Sequence, residues 1–292
     1  MSENNQNKSQ KEIEIIFRPW KVFATEAVLF FLTLVLGIIT ASKLSQFLKV
    51  QEVPLPSLSL KDFLVFFLVA TFSLYLLASL KKFQKGKEAI YKILFILAIF
   101  WGGGVVLSLW IGDFLAILII LILVFFWLKS PLVLIHDLVI ILGLAGAGSI
   151  LGIGFDPRMI IILLVIFSIY DFIAVCKTKH MVKMAREMIE KKVVFGLIVP
   201  VNISDFLQNL KKVKFGGRFL ILGGGDVVFP LLLSVSIIQG GVLKSLIVAI
   251  FSLIGLFATY KLFIGQKVRQ PIPALPSIAL FSVIGYLITR LI

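Results

Sequence analysis

The sequence predicts an all-α polytopic membrane protein with nine transmembrane helices, and three observations carry that expectation. Of the 292 residues, 60% are hydrophobic and only 15% are charged, which is more apolar surface than one soluble core can hide. The apolar residues fall in runs near the roughly 20 that a helix needs to cross a bilayer of about 30 Å. The basic residues, finally, gather in alternate breaks between those runs.

The runs lie at about 22–41, 63–80, 91–111, 114–128, 132–153, 159–176, 219–239, 242–264 and 274–291. Residues 1–21 are polar and basic with no apolar stretch, and they read as a cytoplasmic tail instead of a cleavable signal peptide. The fourth run is short, and Gly112-Asp113 alone separates it from the third. Helices 1–6 thus occupy 22–176, a cytoplasmic loop 177–218, and helices 7–9 the stretch 219–292, all within one membrane domain. An odd number of crossings puts the termini on opposite sides. With the N-terminus inside, only Lys43, Lys49, Lys61, Arg158, Lys244 and Arg290 of the 29 lysines and arginines remain outside. That bias fixes the tail in the cytoplasm.

The loop opens with "KTKHMVKMAREMIEKK", where Met181, Met184, Ala185 and Met188 recur at helical spacing with cations opposite. A short helix lying on the membrane surface is expected there. The next apolar stretch, 193–200, is too short to cross and reads as a re-entrant or surface-resting segment.

Several chemistries are excluded. The single cysteine, Cys176, allows no internal disulfide and no multi-cysteine metal site. His136 and His180 lie far apart without an H-E-x-x-H, so no zinc protease and no metal is expected. "GAGSILG" does not fit a serine-hydrolase elbow. The net charge of +14 belongs to cytoplasmic loops, and no aromatic-interleaved platform for nucleic acid accompanies it. The implied partner is the lipid bilayer.

Of the 15 acidic residues, Glu26, Asp137, Asp171 and Asp226 fall within spans. An ionisable group inside the membrane is a functional candidate by default. Glu26 is near the start of its span and can snorkel to the cytoplasmic interface. Asp137 follows His136 close to Lys129, which suits an interfacial ion pair or a hydrogen bond within the bundle. Asp171 and Asp226 differ. They flank one cytoplasmic loop, six residues before Lys177 and eight after Arg218, or roughly 9 and 12 Å deep at a helical rise. Two such carboxyls share a single proton near neutral pH and titrate as a unit. One then draws a proton from water while the other donates to a scissile carbonyl, with no cofactor.

Peptide hydrolysis in a membrane also needs water and an unwound substrate. Gly223, Gly224 and Gly225 weaken the helix ahead of Asp226 and permit close backbone approach. In "RQPIPALPSIAL", Pro271, Pro273 and Pro276 delay the helix and leave extended backbone that could pair with a substrate strand. The same aspartates would suit a proton- or cation-coupled transporter or channel. Against that alternative, no inverted repeat is visible and both acids lie toward one membrane face.

Together these residues resemble the presenilin family of intramembrane aspartyl proteases. The Tyr-Asp pair is Tyr170-Asp171, Gly-x-Gly-Asp is matched at Gly223, Gly225 and Asp226, and "PALP" at Pro273, Ala274, Leu275 and Pro276, in the family's order. The resemblance implies a presenilin-like fold and a catalytic dyad of Asp171 and Asp226. It further implies Tyr170 at the site's edge and PALP engaging substrate. Signal peptide peptidases share the motifs with reversed termini. The charge bias favours the presenilin orientation, and with it single-span substrates whose N-termini lie outside. The short 177–218 loop departs from the large processed loop of animal presenilins, so accessory subunits are not expected to be required.

Overall fold

A computed structural model describes residues 19–54, 57–79, 87–191, 193–213, 218–266 and 270–292. Most of the expected N-terminal tail, the basic break at 80–86, and residues 214–217 and 267–269 lie outside the described residues. The apolar helices are α1 (Pro19–Val50), α2 (Leu60–Ser79), α3 (Lys87–Ile111), α4 (Asp113–Lys129), α5 (Val133–Gly154) and α6 (Pro157–Phe172). After the amphipathic α7 (His180–Glu190) come α8 (Gly224–Ser236), α9 (Val242–Ile264) and α10 (Leu275–Thr289). Among the described residues, α1, α3, α5, α9 and the segment from α6 through Lys177 are long and apolar enough to cross a membrane by length and composition. Exposed Phe66 and Phe72 of α2, Trp101 of α3 and Phe114 of α4 suit lipid, not water.

The helices follow the expected runs, with two differences. α1 continues to Val50, well past the expected end near 41, because Leu44 and Ser45 keep an inward face. Lys43 also lies 3.4 Å from the ring centre of Trp110, so its charge is met by an aromatic face. The second difference is a two-stranded sheet within the otherwise helical fold. Residues 193–200 are neither re-entrant helix nor surface segment: Gly196–Pro200 is a strand, β1, paired antiparallel with β2, Phe219–Gly223. The expected seventh span at 219–239 therefore splits into β2, then α8, then a 3₁₀ turn at Ile238–Gly240.

The sheet is a layer between bundle and loop. Because side chains alternate across a pleat, Leu197 and Leu222 join the core formed by α1, α5 and α8, and Val199 packs with Val22 of α1. From the opposite face, Ile198 and Phe219 pack against Val194, Leu210 and Val213 of the loop. Gly196 faces Gly223 across the ladder, and a Cβ there would run into the Leu222 carbonyl oxygen. Helices α3 and α5 approach equally closely, with the Gly102 carbonyl where a Cβ of Gly146 would stand.

Gly196→Ala is expected to destabilise the protein by about 1–3 kcal/mol through backbone overpacking, read as a lowered melting temperature in detergent.

Candidate active site

Both candidate aspartates sit where a helix ends. Asp171 is the penultimate residue of α6, which runs into a π-helical turn at Ile173–Lys177. Asp226 is in the first turn of α8, where main-chain N–H groups lack helical acceptors and the helix dipole favours a negative group. The sheet sets that helix start. Gly224 donates its N–H to the Phe195 carbonyl at 2.9 Å, so the β1–β2 ladder leads directly into α8. Asp226 thus lies three residues beyond a strand, not deep within a continuous helix.

The two carboxyls lie close enough for each to feel the other's charge. Asp171 is buried and Asp226 half-buried. The main chain of Leu275, in PALP, hydrogen-bonds to Asp171, and that of Gly223 to Asp226. Asp171 Oδ2 is shut off from solvent without a hydrogen-bond partner among the described residues. The remaining motif residues divide. Leu275 is buried at the N-terminus of α10, Ala274 caps that helix, and Pro276 fits its first turn, where no N–H is needed. Pro273 is half-buried just ahead of it, while Tyr170 is 54% exposed. The structure therefore brings together Asp171, Asp226, Gly223 and Leu275, and turns much of Tyr170 outward.

Gly224 and Gly225 face a different space. With Phe95, Trp101, Leu144 and Phe195 they line an apolar cavity of about 400 Å³ between α3, α5 and the start of α8. Neither aspartate lines it.

Three further polar residues are held inside the bundle. Glu26 does not snorkel: it is 8% exposed and interacts electrostatically with Asp226. Its neighbours one turn away, Val22 and Phe30, are fully buried, so this face of α1 turns inward. Asp137 makes the bundle hydrogen bond, not the ion pair, by accepting from Ile198 N–H at 2.8 Å. His136 accepts from Trp127 Nε1 at 3.4 Å and meets the Gly196 carbonyl at 3.2 Å. The available signal is the presence of these groups in apolar runs; their partners on β1, some 60 residues on, leave no local trace. Among the described residues, no cluster of three or more His, Cys, Asp or Glu side chains could hold a metal ion.

Residues 27–292 match the family model described as signal-peptide peptidase, presenilin aspartyl protease. The fold is similar to a presenilin family intramembrane aspartate protease solved in space group C222, with a TM-score of 0.60 and 20% identity over 93% of this chain and 98% of that one. A structure of such a protease in space group P2 gives a TM-score of 0.57 and 21% identity over 90% and 96% of the two chains. No curated protein matches the sequence.

A buried carboxylate without a compensating partner is costly. Glu26→Gln, which keeps the shape and removes the charge, is accordingly expected to melt no lower than the wild type in a thermal denaturation assay.

Proposed function

Since the chain belongs to the signal-peptide peptidase and presenilin aspartyl protease family, we propose that it is an intramembrane aspartic endopeptidase of the Gly-x-Gly-Asp type. It hydrolyses peptide bonds in or near the transmembrane segments of single-span proteins, with Asp171 and Asp226 as the dyad and one water as nucleophile. The observation that carries this reading is the placement of Asp171 at the end of α6 and Asp226 at the start of α8, within reach of each other's charge, with Asp171 Oδ2 buried and without a partner among the described residues. A pair sharing one proton has both a base and an acid ready. The ionised carboxyl takes a proton from the attacking water, and the protonated one donates to the carbonyl oxygen as the tetrahedral centre forms.

The surrounding main chain supports the choice of substrate. β2 has one edge bonded to β1, and its opposite edge, at Phe219 and Ile221, receives no main-chain hydrogen bond from the described residues. An unwound substrate segment can add there as a further strand. Its backbone then runs toward Gly223 and the dyad. The role expected of the proline-delayed segment before α10 is shared with this edge, while Leu275 holds Asp171 in place. Tyr170 stands at the rim. All nine apolar helices cross the bilayer in this reading, the N-terminus is cytoplasmic, and the purified chain suffices without accessory subunits.

Asp171→Asn and Asp226→Asn are each expected to abolish cleavage of a reconstituted single-span substrate, by about 10³-fold or more, with little change in melting temperature. Mass spectrometry of the products reads the outcome. Cleavage by the double variant would refute the dyad, and aspartate-dependent ion flux in liposomes without proteolysis would favour transport. A peptidic transition-state mimic bearing a hydroxyl is expected to raise the wild-type melting temperature and to leave Asp226→Asn unshifted.

A further inference from the structure

Away from the dyad, a buried polar cluster lies at the first turns of α5. His136 and Asp137 are 0% and 1% exposed. Trp127 Nε1–H donates to His136 Nδ1. The imidazole proton then belongs on Nε2, where it points at the Gly196 carbonyl oxygen. The ring is also held flat against Phe95, with 5.4 Å between centres and 6° between planes. Asp137 Oδ1 accepts from Ile198 N–H, while its Oδ2 is buried with no partner among the described residues.

The targets of this cluster are not arbitrary. The bonds Gly224 N–H to Phe195 O and Val201 N–H to Arg218 O set which residues of β1 bond toward β2: the odd-numbered ones. Gly196, Ile198 and Pro200 therefore turn their main-chain groups to the other edge of β1. His136 takes the Gly196 carbonyl, Asp137 takes the Ile198 N–H, and Pro200 has no N–H to offer. One edge of the two-stranded sheet thus carries two side-chain bonds, while the other, at Phe219 and Ile221, receives no main-chain hydrogen bond from the described residues.

We propose that His136 and Asp137 are positioning and specificity-determining residues: they close the outer edge of β1, so that an extended substrate adds only to β2, in register with Asp226. The proposal rests on the protease reading above. A substrate paired at the wrong edge would lie two further strand spacings from β2, close to ~10 Å away, and out of reach of the dyad. The clamp also ties β1 to a rigid helix, and through Gly224 it holds the start of α8.

The test uses the full-length protein in liposomes with one single-span substrate, with product masses and inhibitor-titrated turnover measured together. Asp137→Asn, which keeps an acceptor for Ile198 N–H, is expected to retain the wild-type cleavage positions and a kcat within about threefold. Asp137→Leu is expected to lower kcat by about tenfold or more and to spread cleavage over neighbouring bonds. His136→Phe, which keeps the stack on Phe95 but loses the donor, is expected to behave like Asp137→Leu, and His136→Gln to restore part of the loss. Should Asp137→Leu fail to fold, the His136 pair decides. Wild-type cleavage positions and turnover per titrated site in the folded Leu or Phe variant would overturn the clamp, whatever their melting temperatures. Cleavage by an Asp226→Asn control would instead overturn the protease reading itself.

Discussion

Main-chain hydrogen bonding in an apolar setting is the constraint from which the geometry of this molecule follows. A backbone N–H or carbonyl that leaves helical form inside a bilayer must find another partner, at a cost of several kcal/mol if it does not. Residues 195–201 and 218–224 meet that demand by pairing with each other. The ladder places the start of α8, and with it the height and direction of Asp226. Had the chain entered the membrane as uninterrupted helix, the acid would have faced ordinary intrahelical bonding instead of a free first turn.

The two candidate aspartates draw on two kinds of helix end. Asp226 stands where α8 begins and Asp171 where α6 gives way to a π turn, so each carboxyl sits beside backbone that leaves regular helical form. Leu275 hydrogen-bonds to Asp171 from the start of α10. Three helix termini therefore meet at the candidate site. Glu26 adds a third negative group from α1. The field at the site is accordingly set by carboxyls, with no cation beside them in the hydrogen-bond or aromatic contacts of the described residues.

The helical layout is legible because an apolar run near 20 residues matches the thickness of a bilayer and exceeds what a soluble core helix needs. Asp171 and Asp226 stand out as candidates too, since an aspartate inside such a run demands a reason. The strands are not. A five-residue run such as "GLIVP" or "FLILG" has too few positions for its period to show, and a buried helix turn looks the same. With β2 read as helix, the depth of Asp226 below Arg218 rests on the wrong rise per residue. Glu26 escapes for another reason: its distance from the span's start is visible, but the inward turn of the Val22–Phe30 face depends on packing against β1 and α9. The partners of His136 and Asp137 are hidden because sequence proximity points to Lys129, whose ammonium instead lies 5.6 Å from the Phe125 ring centre.

An unsatisfied strand margin is a template for aggregation wherever it meets another copy of itself. Here it is five residues long, and before Gly223 turns to Asp226 the outward main-chain groups of Phe219 and Ile221 receive no main-chain hydrogen bond from the described residues. Two molecules zipping together along so brief a margin would gain very few bonds and would have to part their own bundles to make them. Brevity thus separates hospitality to a flexible guest from polymerisation, and lengthening β2 by even a few residues would erode that separation.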